Sequence, residues 1–121
     1  MLENSTLNID DVIFHGATLW RNFELFGDHK LAGYKCQEIM NDFKVIRRDP
    51  SFSRLRAMDA ALIHKNTLDW LGRSLEQSSS AKNVVITHHA PSKKSLREKS
   101  KDHIVSAAYA THLDHFIYTH K

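Results

Sequence analysis

The segment VVITHHAPSKKS (Val84–Ser95) constrains this chain most, because an apolar, β-branched run leads directly into two adjacent histidines and a proline. Continuous apolar runs of this kind are typical of strands that are buried on both faces of a sheet. In open α/β sheets, ligand sites gather at the carboxyl ends of strands. The segment therefore predicts a buried strand over Val84–Thr87, with His88 and His89 at a candidate site.

The rest of the chain predicts a hairpin and three helices around this strand. The runs STLNI and VIFHGATLW flank Asp10–Asp11 and predict a hairpin. Apolar positions spaced by three and four predict one amphipathic helix over 31–47 and a second over about 58–77. Ile104–Ile117 predicts a third helix. None of these elements is an evident parallel neighbour for VVIT, so we expect that strand to lack its sheet partners.

Composition limits the function classes open to the chain. Its 121 residues fit a single domain over 1–121, and the formal charge of +3 tolerates an anionic substrate such as a phosphate ester. Cys36, the single cysteine, cannot form an internal disulfide, which predicts a reducing, cytoplasmic location. It lies on the apolar face of the first predicted helix, where we expect it to be a small, buried, apolar side chain. No apolar run is long enough to span a bilayer, so no membrane partner is expected.

Histidine is the residue type that most favours a metal site, and the chain has nine. Neighbours on an extended chain point to opposite sides, so one of His88 and His89 is expected to face a metal while the other packs or hydrogen-bonds. His64 lies among apolar positions of the second helix and fits either a buried structural histidine or a site residue. His112 and His115 are spaced three apart on the third predicted helix and could chelate a metal.

Five blocks of the sequence resemble consecutive blocks of a bacterial branch of the calcineurin-like metallophosphoesterases. They occur in the same order and at similar spacing as in that family, and they cover nearly the whole chain. The blocks are GATLWRNFELFG (16–27), MNDFKVIR (40–47), HKNTLDWL (64–71), VVITHHAPSKKS (84–95) and SAAYATHLD (106–114).

The resemblance implies an α/β fold, an incomplete metallophosphoesterase α/β/β/α sandwich. In this chain it would consist of an N-terminal hairpin, two helices, a buried strand and a C-terminal helix. It also implies hydrolysis of phosphate mono- or diesters in the full-length family. The implied cofactors are divalent metal ions, Mn, Fe or Zn, at a two-metal centre, and the implied partner is a phosphorylated substrate.

The family's metal ligands come from DxH, GD, GNH[DE] and GHxH motifs and from a lone histidine after a middle strand. Only the lone-histidine block is recognisable here, which implies that His88 is a metal ligand, with His89 as the alternative. The chain is thus expected to be a truncated middle portion that is inactive alone, and whether it binds a metal by itself stays open. Asn41, Asp42 and His64 are candidates for lining a substrate.

Two other functions remain open from the residues. The chain could be a non-enzymatic subunit that another chain completes. It could also bind nucleic acid through a basic segment, although no aromatic residues interleave with its charges to stack on bases. The basic residues are Lys93, Lys94, Arg97, Lys99 and Lys101.

Overall fold

The computed structural model describes residues 2–24, 27–49, 51–100, 103, 106–107 and 109–120. Within these ranges the chain is a small mixed α/β protein with one three-stranded sheet and four α-helices. No helix of this part of the chain is long and apolar enough to cross a bilayer.

The sheet has the strand order β1-β2-β3. Strands β1 (Ser5–Ile9) and β2 (Val12–Ala17) form the predicted antiparallel hairpin. Asp10, in the turn, has a φ of 54°, a left-handed conformation that aspartate adopts more readily than most residues. Strand β3 (Lys82–Thr87) pairs with β2 in parallel. The expectation that VVIT lacks a parallel neighbour is therefore wrong, because the second hairpin strand supplies one.

The first predicted helix is broken in two. Helix α1 (His29–Ile39) begins where the Asp28 carboxylate accepts a hydrogen bond from the Leu31 amide, and it ends at Met40, whose backbone is extended. Helix α2 (Asp42–Val45) follows after Asn41. The prediction of one continuous helix over 31–47 is wrong, because the spacing of apolar residues does not indicate that the backbone becomes extended at Met40, between the two helices.

The second predicted helix is confirmed as α3 (Ala57–Gln77). The Asp59 carboxylate accepts a hydrogen bond from the Arg56 amide and so satisfies a donor at the start of the helix. The buried side chains of α3 recur at intervals of three and four, as the periodicity predicts. They are Ala60, His64, Thr67 and Leu71.

The third predicted helix is shorter than expected in its described part, since α4 covers Asp114–Thr119. Residues 104, 105 and 108 of the prediction lie outside the described residues. Between Ala110 and α4, the Thr111 amide donates to the Ala90 carbonyl and the Leu113 amide to the Pro91 carbonyl. These amides are used to join the segment to the exit of β3, so they do not form helical hydrogen bonds.

The core lies between the helices and contains mostly small side chains. Its buried residues are Phe23, Ala32, Cys36, Phe43, Leu55, Ala60, Ala107 and Ala110. Cys36 is buried as predicted, and burial raises the pKa of its thiol. A thiol with a raised pKa is less often ionised, so Cys36 packs in the core as a small apolar side chain.

The sheet packs on α3 through one face. Buried His15 of β2 accepts a hydrogen bond from the Ser74 hydroxyl at 2.9 Å and donates one to the Asn83 side-chain oxygen at 2.8 Å. This polar network joins β2, α3 and β3. Side chains next to His15 in sequence point to the opposite face because the side chains of a strand alternate.

That opposite face is apolar and open. Leu7, Phe14 and Val84 are register partners across the three strands, and Leu7 is 49% exposed. On β3, Val84 and Ile86 of this face are 41% and 54% exposed, and Val85 of the other face is 42% exposed. The predicted burial of VVIT on both faces is therefore wrong, since no second layer covers this face within the described residues and β3 is an edge strand there.

We predict that the open face and the edge of β3 cause the purified chain to self-associate, because large exposed apolar patches and unpaired strand edges favour association. Sedimentation velocity at micromolar concentrations should show oligomers. Ile86→Lys, on the open face, should shift the distribution towards monomer. Leu62→Lys, at a position 59% exposed on α3, should leave it unchanged.

A wild-type chain that sediments as a clean monomer and melts in one sharp transition would contradict this prediction. Equal effects of the two lysine substitutions would also contradict it, because the assembly would then not depend on the open face.

Candidate functional site

The two parallel strands end side by side and bring their following residues to one edge of the sheet. Ala17 and Thr87 are the last register partners of β2 and β3. Beyond them, the His88 amide donates to the Ala17 carbonyl at 3.3 Å and the His89 amide to the Thr18 carbonyl at 3.1 Å. The histidine pair therefore lies beside the exit of β2, at the carboxyl edge where ligand sites of α/β sheets occur.

A pocket of about 590 Å³ lies at this edge, on the open side of the sheet. It is lined by Leu2, Gly16, Ala17, Thr18, Ile86, Thr87 and His88. Leu2 lies directly on Gly16: a Cβ added to Gly16 would be 2.3 Å from the Leu2 Cβ. Only glycine permits this close approach of the N-terminal segment.

A carboxylate lies beside the same pocket. Glu3 accepts hydrogen bonds through Oε2 from the Thr18 amide at 2.8 Å and from the Thr18 hydroxyl at 2.6 Å. This edge of the sheet therefore carries the imidazole of His88, which follows β3, and the carboxylate of Glu3, which is hydrogen-bonded to Thr18 after β2.

His88 and His89 differ in their hydrogen bonding. His88 is exposed, and its ring makes no hydrogen bond to the residues that the structure describes. His89 is partly buried: its Nδ1 donates to the Thr18 carbonyl at 3.1 Å, and its Nε2 accepts from Arg21 Nη1 at 2.8 Å. Burial lowers the pKa of His89, and the charge of Arg21 lowers it further. His89 is therefore a neutral imidazole with both nitrogens in use.

The two rings are not on opposite sides of an extended chain. Residues 88 and 89 form a bend after β3, and their ring centroids lie 5.0 Å apart in an edge-to-face arrangement. The argument from strand alternation is therefore wrong for this pair, because the strand ends at Thr87. What separates the two histidines is the hydrogen bonding of His89.

Arg21 is the partner that occupies His89. Its side chain is fully buried, and its Nη2 donates to Asp42 Oδ2 at 2.9 Å. The guanidinium carbon lies 4.8 Å from the centroid of the Trp20 ring and 5.4 Å from that of Phe43. Its Nε has no hydrogen-bond partner among the described residues. Arg21 thus links the exit of β2, the start of α2 and the exit of β3.

The three candidates for substrate lining lie elsewhere. Asp42 contacts Arg21, and exposed Asn41 precedes α2. His64 is buried on α3, where its Nδ1 donates to the Trp20 carbonyl. None of the three lines the pocket beside His88.

The other candidate groups are not assembled into a metal site. His112 precedes α4, so it does not share a helix with His115, and its Nδ1 lies 3.6 Å from Asp114 Oδ2. In the described ranges, no three or more His, Cys, Asp or Glu side chains are grouped so that they could hold a metal ion. These residues alone do not fit a two-metal centre, and no catalytic step follows from them.

Sequence reasoning did not find Glu3, Thr18 or Arg21. Glu3 and Thr18 become neighbours of the histidine pair only through the pairing of β2 with β3, which spans some seventy residues of chain. One feature of the sequence could have indicated Arg21: it is the charged residue of the segment 19–23, in which the other side chains are apolar or carry an amide. A charge in such a run is either solvated or buried with partners.

Comparison of the chain with known protein families, with curated proteins and with solved structures finds no match.

We predict that His64 makes the chain sensitive to mild acid. Burial lowers the pKa of His64 below its ordinary value of 6.5, whereas in the unfolded chain the pKa returns to that value. The unfolded state therefore binds the proton more readily, and the free energy of unfolding falls as the pH drops from above 6.5 towards the lowered pKa. Urea unfolding at pH 7.5 and pH 5.5 measures the loss.

His64→Gln should reduce this acid-induced loss, whereas His29→Gln, at an exposed position of α1, should leave it as in the wild type. His89 contributes to the loss as well, so His64→Gln removes only part of it. An unchanged pH dependence in His64→Gln would show that His64 does not carry the effect.

Proposed function

We propose that this chain is a portion of a metal-dependent phosphoesterase and that it supplies one metal ligand, His88. The observation that carries the proposal is the exposed imidazole of His88, which makes no hydrogen bond to the described part of the chain and lies at the edge of a pocket where two parallel strands end. The resemblance of five sequence blocks to calcineurin-like metallophosphoesterases supports the same assignment.

The other ligands of such a centre have to come from outside the pocket residues. The motifs DxH, GNH[DE] and GHxH do not occur in the 121 residues. Catalytic metal sites use about three protein ligands, and His88 is one. We therefore propose that the chain by itself hydrolyses no phosphate ester and that the chemistry requires the remaining ligands.

The substrate class is a phosphate mono- or diester. In such chemistry, a pair of divalent ions supplies a hydroxide nucleophile and offsets the charge on the phosphoryl oxygens. The chain's own contribution is to hold His88 at the strand edge and to offer a formal charge of +3 to an anionic substrate.

The fold proposal is an incomplete α/β/β/α sandwich in which a second sheet covers the open face of the first. Six apolar side chains on that face support it, since they match what the inner face of a β-sandwich presents. They are Leu7, Ile9, Val12, Phe14, Val84 and Ile86. We place the protein in the cytoplasm, because its single cysteine is buried and unpaired.

The test is to join the chain to segments of a calcineurin-like phosphoesterase that carry the DxH, GNH[DE] and GHxH motifs. Hydrolysis of p-nitrophenyl phosphate and its bis ester, and bound Mn²⁺, are then measured. His88→Ala should remove both metal and turnover. His89→Ala, which loses a supporting hydrogen-bonded histidine, should cost roughly 10–100-fold in activity. The unjoined chain is the control and should show no turnover.

The reverse pattern would assign the ligand to His89. If neither substitution changes metal content or rate, the histidine pair has no metal role. Metal-dependent turnover by the unjoined chain, abolished in His88→Ala, would overturn the proposal that the chain needs further ligands.

A second candidate is the binding of an anionic polymer by the basic segment. A shallow pocket of about 470 Å³ there is lined in part by Arg97, Lys99 and half-exposed Tyr109, which combines charge with one aromatic ring. Against it, Lys94 is paired with Asp114 at 3.1 Å. Lys101 lies outside the described residues. DNA binding that weakens steeply with salt would favour this candidate.

A further inference from the structure

The two histidines of the pair are close enough to act together. Their ring centroids lie 5.0 Å apart, and both follow the same strand. Nothing in the backbone direction therefore prevents both imidazoles from meeting one ion. A side-chain interaction has to decide whether the pair offers one nitrogen ligand or two.

Arg21 provides that interaction. A neutral imidazole has one protonated nitrogen and one lone pair. In His89 the protonated Nδ1 donates to the Thr18 carbonyl, and the lone pair of Nε2 accepts from Arg21 Nη1 at 2.8 Å. A metal can bind Nε2 only if this hydrogen bond from a fixed cation is broken.

The guanidinium is itself held in place. It is fully buried, pairs with Asp42 at 2.9 Å, and lies near the rings of Trp20 and Phe43. Trp20 also packs near His89, with ring centroids 5.9 Å apart. Arg21 cannot swing away into solvent without leaving the Asp42 carboxylate unpaired and opening a gap between the rings.

We propose that Arg21, oriented by Asp42, is a positioning residue that blocks the Nε2 lone pair of His89 and leaves His88 as the single metal-binding imidazole of the pair. The part of this inference that concerns metal rests on the function proposed above. It also gives Asp42 a different role from substrate lining, since its carboxylate holds the arginine that holds His89.

The experiment uses the full chain labelled with ¹⁵N-histidine and long-range proton–nitrogen correlation spectra of the imidazoles. In the wild type, His89 should show a protonated Nδ1 and a hydrogen-bonded, unprotonated Nε2. Added Zn²⁺ should shift the ring nitrogens of His88 and leave those of His89 in place. This measurement needs no variant, so it stands even if substitutions at Arg21 prevent folding.

Arg21→Met removes the donor and keeps an apolar stem between the two rings, and the Asp42 side chain, 41% exposed, can be hydrated. In this variant, Zn²⁺ should shift the Nε2 resonance of His89 as well as the resonances of His88. The matched control is Arg48→Met, which breaks the ion pair of Arg48 with Asp59 away from the histidines and should leave the wild-type pattern.

A wild-type His89 protonated at Nε2, or one that responds to Zn²⁺ before His88, would overturn the inference. So would an unchanged response of His89 in Arg21→Met. If neither histidine responds to Zn²⁺ but His89 has the expected tautomer and its Nε2 resonance loses the hydrogen-bonded shift in Arg21→Met, Arg21 remains the residue that holds His89. The metal role proposed for His88 would then be wrong.

Discussion

The buried guanidinium of Arg21 is the interaction on which the candidate site depends. Moving a cation out of water costs several kcal/mol unless its donors are satisfied, and here the compensation comes from Asp42, His89 and two aromatic rings. Because these partners lie on three separate segments, the energy of one buried charge fixes the exits of β2 and β3 and the start of α2 relative to one another. Loss of any partner would leave that charge partly uncompensated.

The break between α1 and α2 lies beside this buried charge. The extended backbone of Met40 ends α1, and α2 then begins with Asp42 directed at Arg21 and Phe43 packed in the core. The Met40 sulfur also lies 3.9 Å from Arg21 Nη2. The break therefore places the carboxylate of Asp42, the first residue of α2, on the buried guanidinium of Arg21.

The sheet has two unequal faces. One is joined to α3 by the hydrogen bonds of His15 with Ser74 and Asn83. The other exposes apolar side chains along all three strands, and the pocket beside His88 opens at its carboxyl end. An apolar sheet face next to a polar strand edge is consistent with a protein in which further chain covers the face and completes the edge, as we propose.

Much of the fold follows from local patterns in the sequence. The β-favouring runs around Asp10–Asp11 predict the hairpin, the three-four spacing predicts α3, and the apolar run VVIT predicts β3. The partners of β3 do not follow, because parallel pairing across seventy residues leaves no local signal. The same holds for the site: the pattern THHAP identifies the histidine pair, but only the fold shows that Arg21 hydrogen-bonds His89.

Paramagnetic broadening by Mn²⁺ on the 121-residue chain tests the central claim most directly, because it locates the ion without assuming a ligand set. The account predicts that trace Mn²⁺ broadens the amide and imidazole signals of His88 most strongly, followed by those of Thr87 and Thr18 across the pocket. Signals of His112 and His115 should be affected less. Strongest broadening at His112 and His115, or equal broadening of all exposed histidines, would contradict the assignment of His88 as the metal-binding imidazole.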